Sequence, residues 1–224
     1  MLYHYALKRK ASLLLSTLCL ASASQFSAAL PQFINEFHYD NAGADIEEYV
    51  EIAGLAGSDL AGWRLDFYNG SNGKIYSSWN LTGTIDDEGL GWGALSFSGG
   101  GLQNGTKDGI ALVDDLGSLI QFISYEGVLT GTEGAALGVS SEDVGVAETS
   151  STALGSSLQL SGSGSAYQDF SWISATASFD SLNAGQSFVS ASQPVAVQSV
   201  DEPYQAGLFL LGLLGLMAKR LTRR

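Results

Sequence analysis

Catalysis needs a few residue types brought close together, and this chain is sparing with them. Its 224 residues include two histidines, His4 and His38, and a single cysteine, Cys19. A Ser-His-Asp arrangement in the body has only His38 to use, and no Gly-x-Ser-x-Gly elbow surrounds a candidate nucleophile. Zinc sites draw on several Cys and His ligands, which His38 alone does not supply. A two-metal nuclease centre wants clustered acids with histidine as well. The run Asn69-Gly70-Ser71-Asn72-Gly73-Lys74 resembles a phosphate loop, but its spacing is too short, and Ile75 stands where a Walker motif places Ser or Thr for magnesium. It reads as a hairpin turn.

Carboxylates are plentiful instead. They pair up at Glu47-Glu48, Asp86-Asp87-Glu88, Asp114-Asp115 and Glu142-Asp143. A glycosidase needs two such groups about 5 to 9.5 Å apart across a cleft. Adjacent acids on a strand point to opposite faces, and in a turn they point to solvent, so these read as exposed loop acids. Calcium takes oxygen ligands from Asp, Asn, Glu and backbone carbonyls in loops. The best loops for it are Asp40-Asn41 with Asp45, and Asp86-Asp87-Glu88, neither of which fits the EF-hand pattern. The expectation is a protein that is not an enzyme, with calcium the one cofactor left open.

Charge is distributed unevenly. Of ten basic residues, three lie at positions 8–10, four at 219, 220, 223 and 224, and only Arg64, Lys74 and Lys107 between. All 23 acids fall between Glu36 and Glu202, so the body carries a balance of −20. Such a surface repels phosphate backbones, which argues against nucleic-acid partners and for a solvated exterior or cation binding.

The two ends have their own patterns. Lys8-Arg9-Lys10, an apolar run from Ala11 to Ala23 and the small residues Ala21-Ser22-Ala23 or Ser27-Ala28-Ala29 give the three-part order of a signal peptide over 1–29, cut after Ala23 or Ala29. Cys19 follows Leu18, where a lipoprotein signal needs a small residue; it falls within this segment, so the mature body is expected to have no thiol. At the other end, Val200-Asp201-Glu202-Pro203 precedes an almost wholly apolar helix from Tyr204 to Ala218 and a basic stop. Fifteen helical residues rise about 23 Å against roughly 30 Å of hydrocarbon, which suits a short sorting helix with snorkelling cations. This end resembles the PEP-CTERM sorting signal, with Glu202-Pro203 matching the motif and Asp201 departing from the commoner Pro. The resemblance implies an exosortase-type membrane protease as partner and delivery to the cell surface, outer envelope or extracellular matrix. A plain anchor through 204–218 is the alternative, and a glycosylphosphatidylinositol signal is disfavoured because its tail normally ends apolar.

Between the ends, residues 30–190 read as short strands separated by Gly, Asn, Asp and Ser turns, with no sustained helical period; 191–199 reads as a linker. The clearest alternation puts Trp63, Leu65 and Phe67 on one face and Arg64 and Asp66 on the other. Further strands are expected at Phe33 to His38, Glu48 to Ala53, Lys74 to Leu81, Gly93 to Phe97, Ile110 to Val113, Leu119 to Tyr125, Ser157 to Leu160 and Phe170 to Ile173. Asn69-Gly70, Asn72-Gly73 and Asn104-Gly105 offer hairpin turns. The stretch Gly131 to Ser156, poor in aromatics, reads as a long surface loop. His38 is expected on the outward or half-buried face of the first strand. Many short strands joined by tight turns pack as a sandwich or close into a small barrel.

Ile34-Asn35-Glu36, Glu48-Tyr49-Val50-Glu51-Ile52 and Asp59-Leu60-Ala61-Gly62-Trp63-Arg64-Leu65, continued loosely by Asp108-Gly109-Ile110-Ala111-Leu112-Val113-Asp114 and Ser124-Tyr125-Glu126-Gly127, are similar to the bacterial lamin-tail domain. The resemblance spans about 31–190 and implies an immunoglobulin-like β-sandwich without catalytic residues to carry over. The export signals, a compact β-domain and the scarcity of residues for nucleophilic or metal chemistry together give the expectation of a non-catalytic surface or matrix protein that presents acidic loops to a polysaccharide, another surface protein or a cation. The alternative is a secreted hydrolase, or an accessory module of an extracellular nuclease or phosphatase.

Overall fold

The computed structural model describes residues 32–190. The expected signal peptide, linker, sorting residues Val200, Asp201, Glu202 and Pro203, and the two terminal helices lie outside the described residues. Within them, no helix is long and apolar enough to cross a membrane. The described residues form an all-β domain of two sheets.

The strands are β1 (Phe33–His38), β2 (Tyr49–Leu55), β3 (Arg64–Asn69), β4 (Lys74–Asn80), β5 (Trp92–Phe97), β6 (Gly109–Val113), β7 (Leu119–Ser124), β8 (Glu142–Asp143), β9 (Ser156–Gly164), β10 (Phe170–Thr176) and β11 (Gln186–Phe188). The first sheet runs β10-β9-β1-β2-β5, with β11 also on β9; the second runs β4-β3-β6-β7-β8. Neighbours are antiparallel except β11 on β9 and β8 on β7.

Alternation explains how the sheets meet. Ile34, Phe37, Val50, Ile52 and Leu158 of the first sheet pack against Leu65, Phe67, Ile110, Leu112 and Ile123 of the second, joined by Trp63, Tyr39 and Tyr125 from the loops. The Tyr39 and Tyr125 rings stack with centroids 4.0 Å apart, and Trp172 meets Phe37 edge-on at 5.3 Å. Buried aromatics of this size dominate core energetics.

Each strand expected from the sequence is present, with ends moved by a few residues. Three expectations are corrected. First, the first strand has no outward or half-buried face: β1 is buried at every residue, as is β6. A second apolar cluster gathers Phe33, Trp92 and Phe170 around Phe188 of β11, and a third packs Tyr68, Ala111, Val113 and Phe122 beneath Leu129 and Ala136. Second, the stretch Gly131 to Ser156 is therefore not simply a surface loop: it contributes Ala136 to that third cluster, β8 to the second sheet and Val144 to the central core. Third, Asn104-Gly105 is no hairpin, since it lies between β5 and β6, which belong to different sheets.

The Asn69–Lys74 turn is a hairpin. Gly73 takes φ +70, and a Cβ there would lie 2.3 Å from the Thr130 carbonyl, so only glycine fits. Gly70 N–H donates to Asp108 Oδ1 at 2.7 Å, so an acid occupies a donor that a phosphate would need.

Candidate functional site

His38 sits near the end of β1, on the face turned away from the second sheet. Loops close over it, leaving it 3% exposed, so it is deeper than expected. Its Nδ1 lies 2.8 Å from Glu148 Oε1, and its Nε2 lies 3.2 Å from Asn41 Oδ1. Burial pulls the imidazole down, and the hydrogen bond and charge of Glu148 more than offset this, so its pKa stands above the ordinary value. Both ring nitrogens are engaged, which suits an ion-paired latch better than a general base. Glu148, itself 1% exposed, also accepts from Tyr39 N–H at 2.7 Å and Asp40 N–H at 3.1 Å.

Two further acids are fully buried on that same face. In β1 a bulge leaves Asn35 without a partner between the pairs Ile34–Ile52 and Glu36–Glu51, so Glu36 comes to lie across from Glu51. Both carboxylates have zero exposure, and no basic side chain among the described residues pairs with either. Glu51 accepts from Asn35 Nδ2 at 3.0 Å, Ser96 Oγ at 2.8 Å and Asp180 N–H at 2.8 Å. Glu36 accepts from Tyr49 OH and from Ser178 through both N–H (2.9 Å) and Oγ (2.7 Å). Burial, opposed in part by the Asn35 hydrogen bond, pushes the Glu51 carboxyl up to about 8. Asn183 completes the cover by donating to the carbonyls of Asn35 and Leu160.

Of the paired acids expected to be exposed, Asp114 is buried and Glu48 half-buried, while Glu47, Asp86, Asp87, Glu88, Asp115, Glu142 and Asp143 are exposed; the acids outside those pairs are buried more often. Glu36, Glu51, Asp66, Asp108, Asp114 and Glu148 are all buried. Most of them tie down backbone N–H groups: Asp114 holds Leu116 and Ser118, while Asp108 holds Gly70 and Gly105. The half-buried Glu48 holds Leu102, and the exposed Glu88 holds Ala94 and Leu182. In a body expected to have no thiol, carboxylates cross-link distant loops.

The calcium candidates fall on two separate loops. Asn41 is buried, with Nδ2 donating to the carbonyls of Ala42 and Ala44 and Oδ1 accepting from Ile46 N–H. Asp45 Oδ2 accepts from Asn104, and Asp87 Oδ1 accepts from Gly89 and Gly91. Asp40 is exposed enough to stay solvated, its carboxyl raised by slight burial and by the Asp45 charge. Asp86 precedes this second turn. Among the described residues, no group of three or more His, Cys, Asp or Glu side chains is placed to hold a metal ion.

An open hollow lies at the same end of the first sheet. Two adjoining recesses of about 440 Å³ each share Glu47, Glu48 and Ser98; one is completed by Tyr49, Ala177 and Phe179, the other by Asp45, Ile46, Gly99 and Gly100. Phe179 is 51% exposed and stands edge-on over Tyr49, with ring centroids 4.6 Å apart. Glu47 holds φ 59, a left-handed conformation uncommon for a side chain of this kind. Sequence reasoning singled out Glu47 and Glu48 as a pair but missed Phe179, whose only signal is a lone aromatic in a polar stretch.

No family model, curated protein or solved structure matches the chain.

Proposed function

We propose that the chain is an exported, non-catalytic binding module of the immunoglobulin-like, lamin-tail type, and that the Glu47–Glu48–Phe179 hollow receives an extracellular polysaccharide. The observation that carries this reading is the half-exposed Phe179 ring beside carboxylates in an open recess. Aromatic rings stack on the apolar faces of sugars, and carboxylates accept from their hydroxyls; a few polar groups around an apolar platform is the usual make-up of a ligand recess. The engaged nitrogens of His38 support binding rather than turnover. Export, exosortase-type processing and surface or matrix location rest on the two terminal segments. They are tested by the mass of the protein recovered from its own cells, which lacks 204–224 if the tail is cut.

The test of binding uses exopolysaccharide stripped from those cells. The chain binds it, and Phe179→Ala weakens binding about ten-fold, the loss of roughly 1.4 kcal/mol. Hydrolysis of DNA, phosphoesters or polysaccharide above background, abolished by a His38 substitution, would overturn the reading.

A further inference from the structure

Strand edges expose unpaired N–H and C=O groups, and this domain treats the end strands of its two sheets differently. On β5, Ala94 N–H donates to Glu88 Oε1 at 2.7 Å and Ser96 N–H to Asp180 Oδ1 at 3.1 Å, so carboxylates block that edge. On β4, which opens with Lys74, Ile75 N–H donates to Glu133. Strand β8 is two exposed acids. The fourth end strand, β10, has none of these devices.

Seven residues long, β10 reads Phe-Ser-Trp-Ile-Ser-Ala-Thr, and its neighbour β9 adds nine more residues without a charge. In a body with a balance of −20, this is an uncharged strip. The nearest charge along the chain, Asp169, is occupied by the N–H groups of Ser165 and Ala166. The direction of the free groups follows from the register. Leu160 pairs with Trp172, and the Leu160 carbonyl accepts from Asn183, away from β10; Ala177 N–H points inward to the Gly155 carbonyl. Alternation then turns the N–H and C=O of Ser171, Ile173 and Ala175 toward β9 and those of Trp172 and Ser174 outward. Among the described residues, nothing accepts from or donates to these outward groups.

We propose that β10 is a pairing edge through which two copies of this chain join antiparallel, continuing the first sheet across a two-fold axis at Ile173. In that register Trp172 faces Ser174 of the other copy and exchanges both bonds with it. The two Ile173 residues, 37% exposed in the single chain, form the close non-hydrogen-bonded pair at the axis. A second copy fits this strip better than a charged partner. The edge offers no charge to attract one, and it is where two like-charged bodies approach with least repulsion. Salt therefore strengthens the association.

The test is sedimentation of the purified full chain from low micromolar to submillimolar concentration at low and high salt, with amide exchange read at Trp172 and Ser174. The mass doubles with concentration, at lower concentration in high salt, and both amides gain protection in step. Ile173→Lys places a charge on the axis. Ser174→Pro removes an outward donor that β9 does not use, a position where an edge strand tolerates proline. Each returns the chain to a single copy with its melting transition retained. A wild-type chain that stays single throughout, or pairs while Trp172 and Ser174 exchange freely, overturns the proposal. So does pairing that survives a folded Ile173→Lys or Ser174→Pro chain.

Discussion

Glu36 and Glu51 lie directly across from each other in β1 and β2, both fully buried and with no cation beside them among the described residues. Burial, with the neighbouring Glu36 charge adding to it, pushes the Glu51 carboxyl up to about 8, so Glu51 keeps its proton at neutral pH. Their oxygens hold Ser178 and Asp180 over the sheet. Acidic side chains thus form part of the scaffold, beyond any role on the surface.

The hydrogen bonds of Asn183 give a first prediction. Asn183→Ala removes donors to the carbonyls of Asn35 and Leu160 and leaves two buried acceptors short of a partner, at a cost of about 1 to 3 kcal/mol. Limited proteolysis of the folded chain should then cut first between positions 177 and 190, several times faster than in the wild type. Unchanged cleavage there would show that Asn183 does not hold the cover.

The His38–Glu148 pair gives a second. Glu148→Ala leaves the imidazole buried without its partner and frees the N–H groups of Tyr39 and Asp40, so urea unfolding should give a loss of about 3 to 5 kcal/mol. The sign with pH is definite. The folded imidazole binds its proton more tightly than the unfolded one, so its contribution is complete below about 6.5 and fades as pH rises through the higher folded value. The wild-type advantage over Glu148→Ala should therefore be larger at pH 6 than at pH 9.

Calcium gives a third. Oxygens of Asn41, Asp45, Asp87 and Glu88 already accept hydrogen bonds from the chain. Millimolar calcium should leave the melting temperature unchanged; a rise of several degrees that Asp45→Asn removes would restore the loop site to consideration.

Packing gives a fourth. Phe37→Ala empties the contact with Trp172 and Tyr125 at the centre of the sandwich, and large-to-small changes of this kind cost about 3 to 5 kcal/mol. Denaturant melts followed by tryptophan fluorescence measure it.

Alternation made the sheets legible in the sequence: Trp63, Leu65 and Phe67 lie in the core as their spacing indicates. What the spacing hides is whatever covers the other face. Arg64 and Asp66 read as solvent residues, yet Asp66 is buried beneath Ser78 and its own Arg64. The covering contacts join distant positions, 110 apart for His38 and Glu148 and 129 for Glu51 and Asp180, and no local pattern encodes them. Strand β11 escaped notice for a similar reason, since three residues pairing parallel with β9 carry too little periodicity to recognise. The bulge at Asn35 left a faint signal: Ile34 and Phe37 both enter the core across an odd spacing, which a regular strand does not allow.

The proton held over β1 and β2 is measured most directly by thermal melting between pH 5 and 9 for the wild type and Glu51→Gln. Because the folded Glu51 carboxyl is pushed up to about 8, its stabilising contribution is complete below the unfolded carboxyl value and is lost as pH rises through about 8. Wild-type melting temperature should fall by several degrees from acid to alkaline pH, and Glu51→Gln should flatten that slope while matching or exceeding the wild type at pH 9. A wild type that gains stability on going alkaline, or a Glu51→Gln chain that keeps the full slope, would contradict the account.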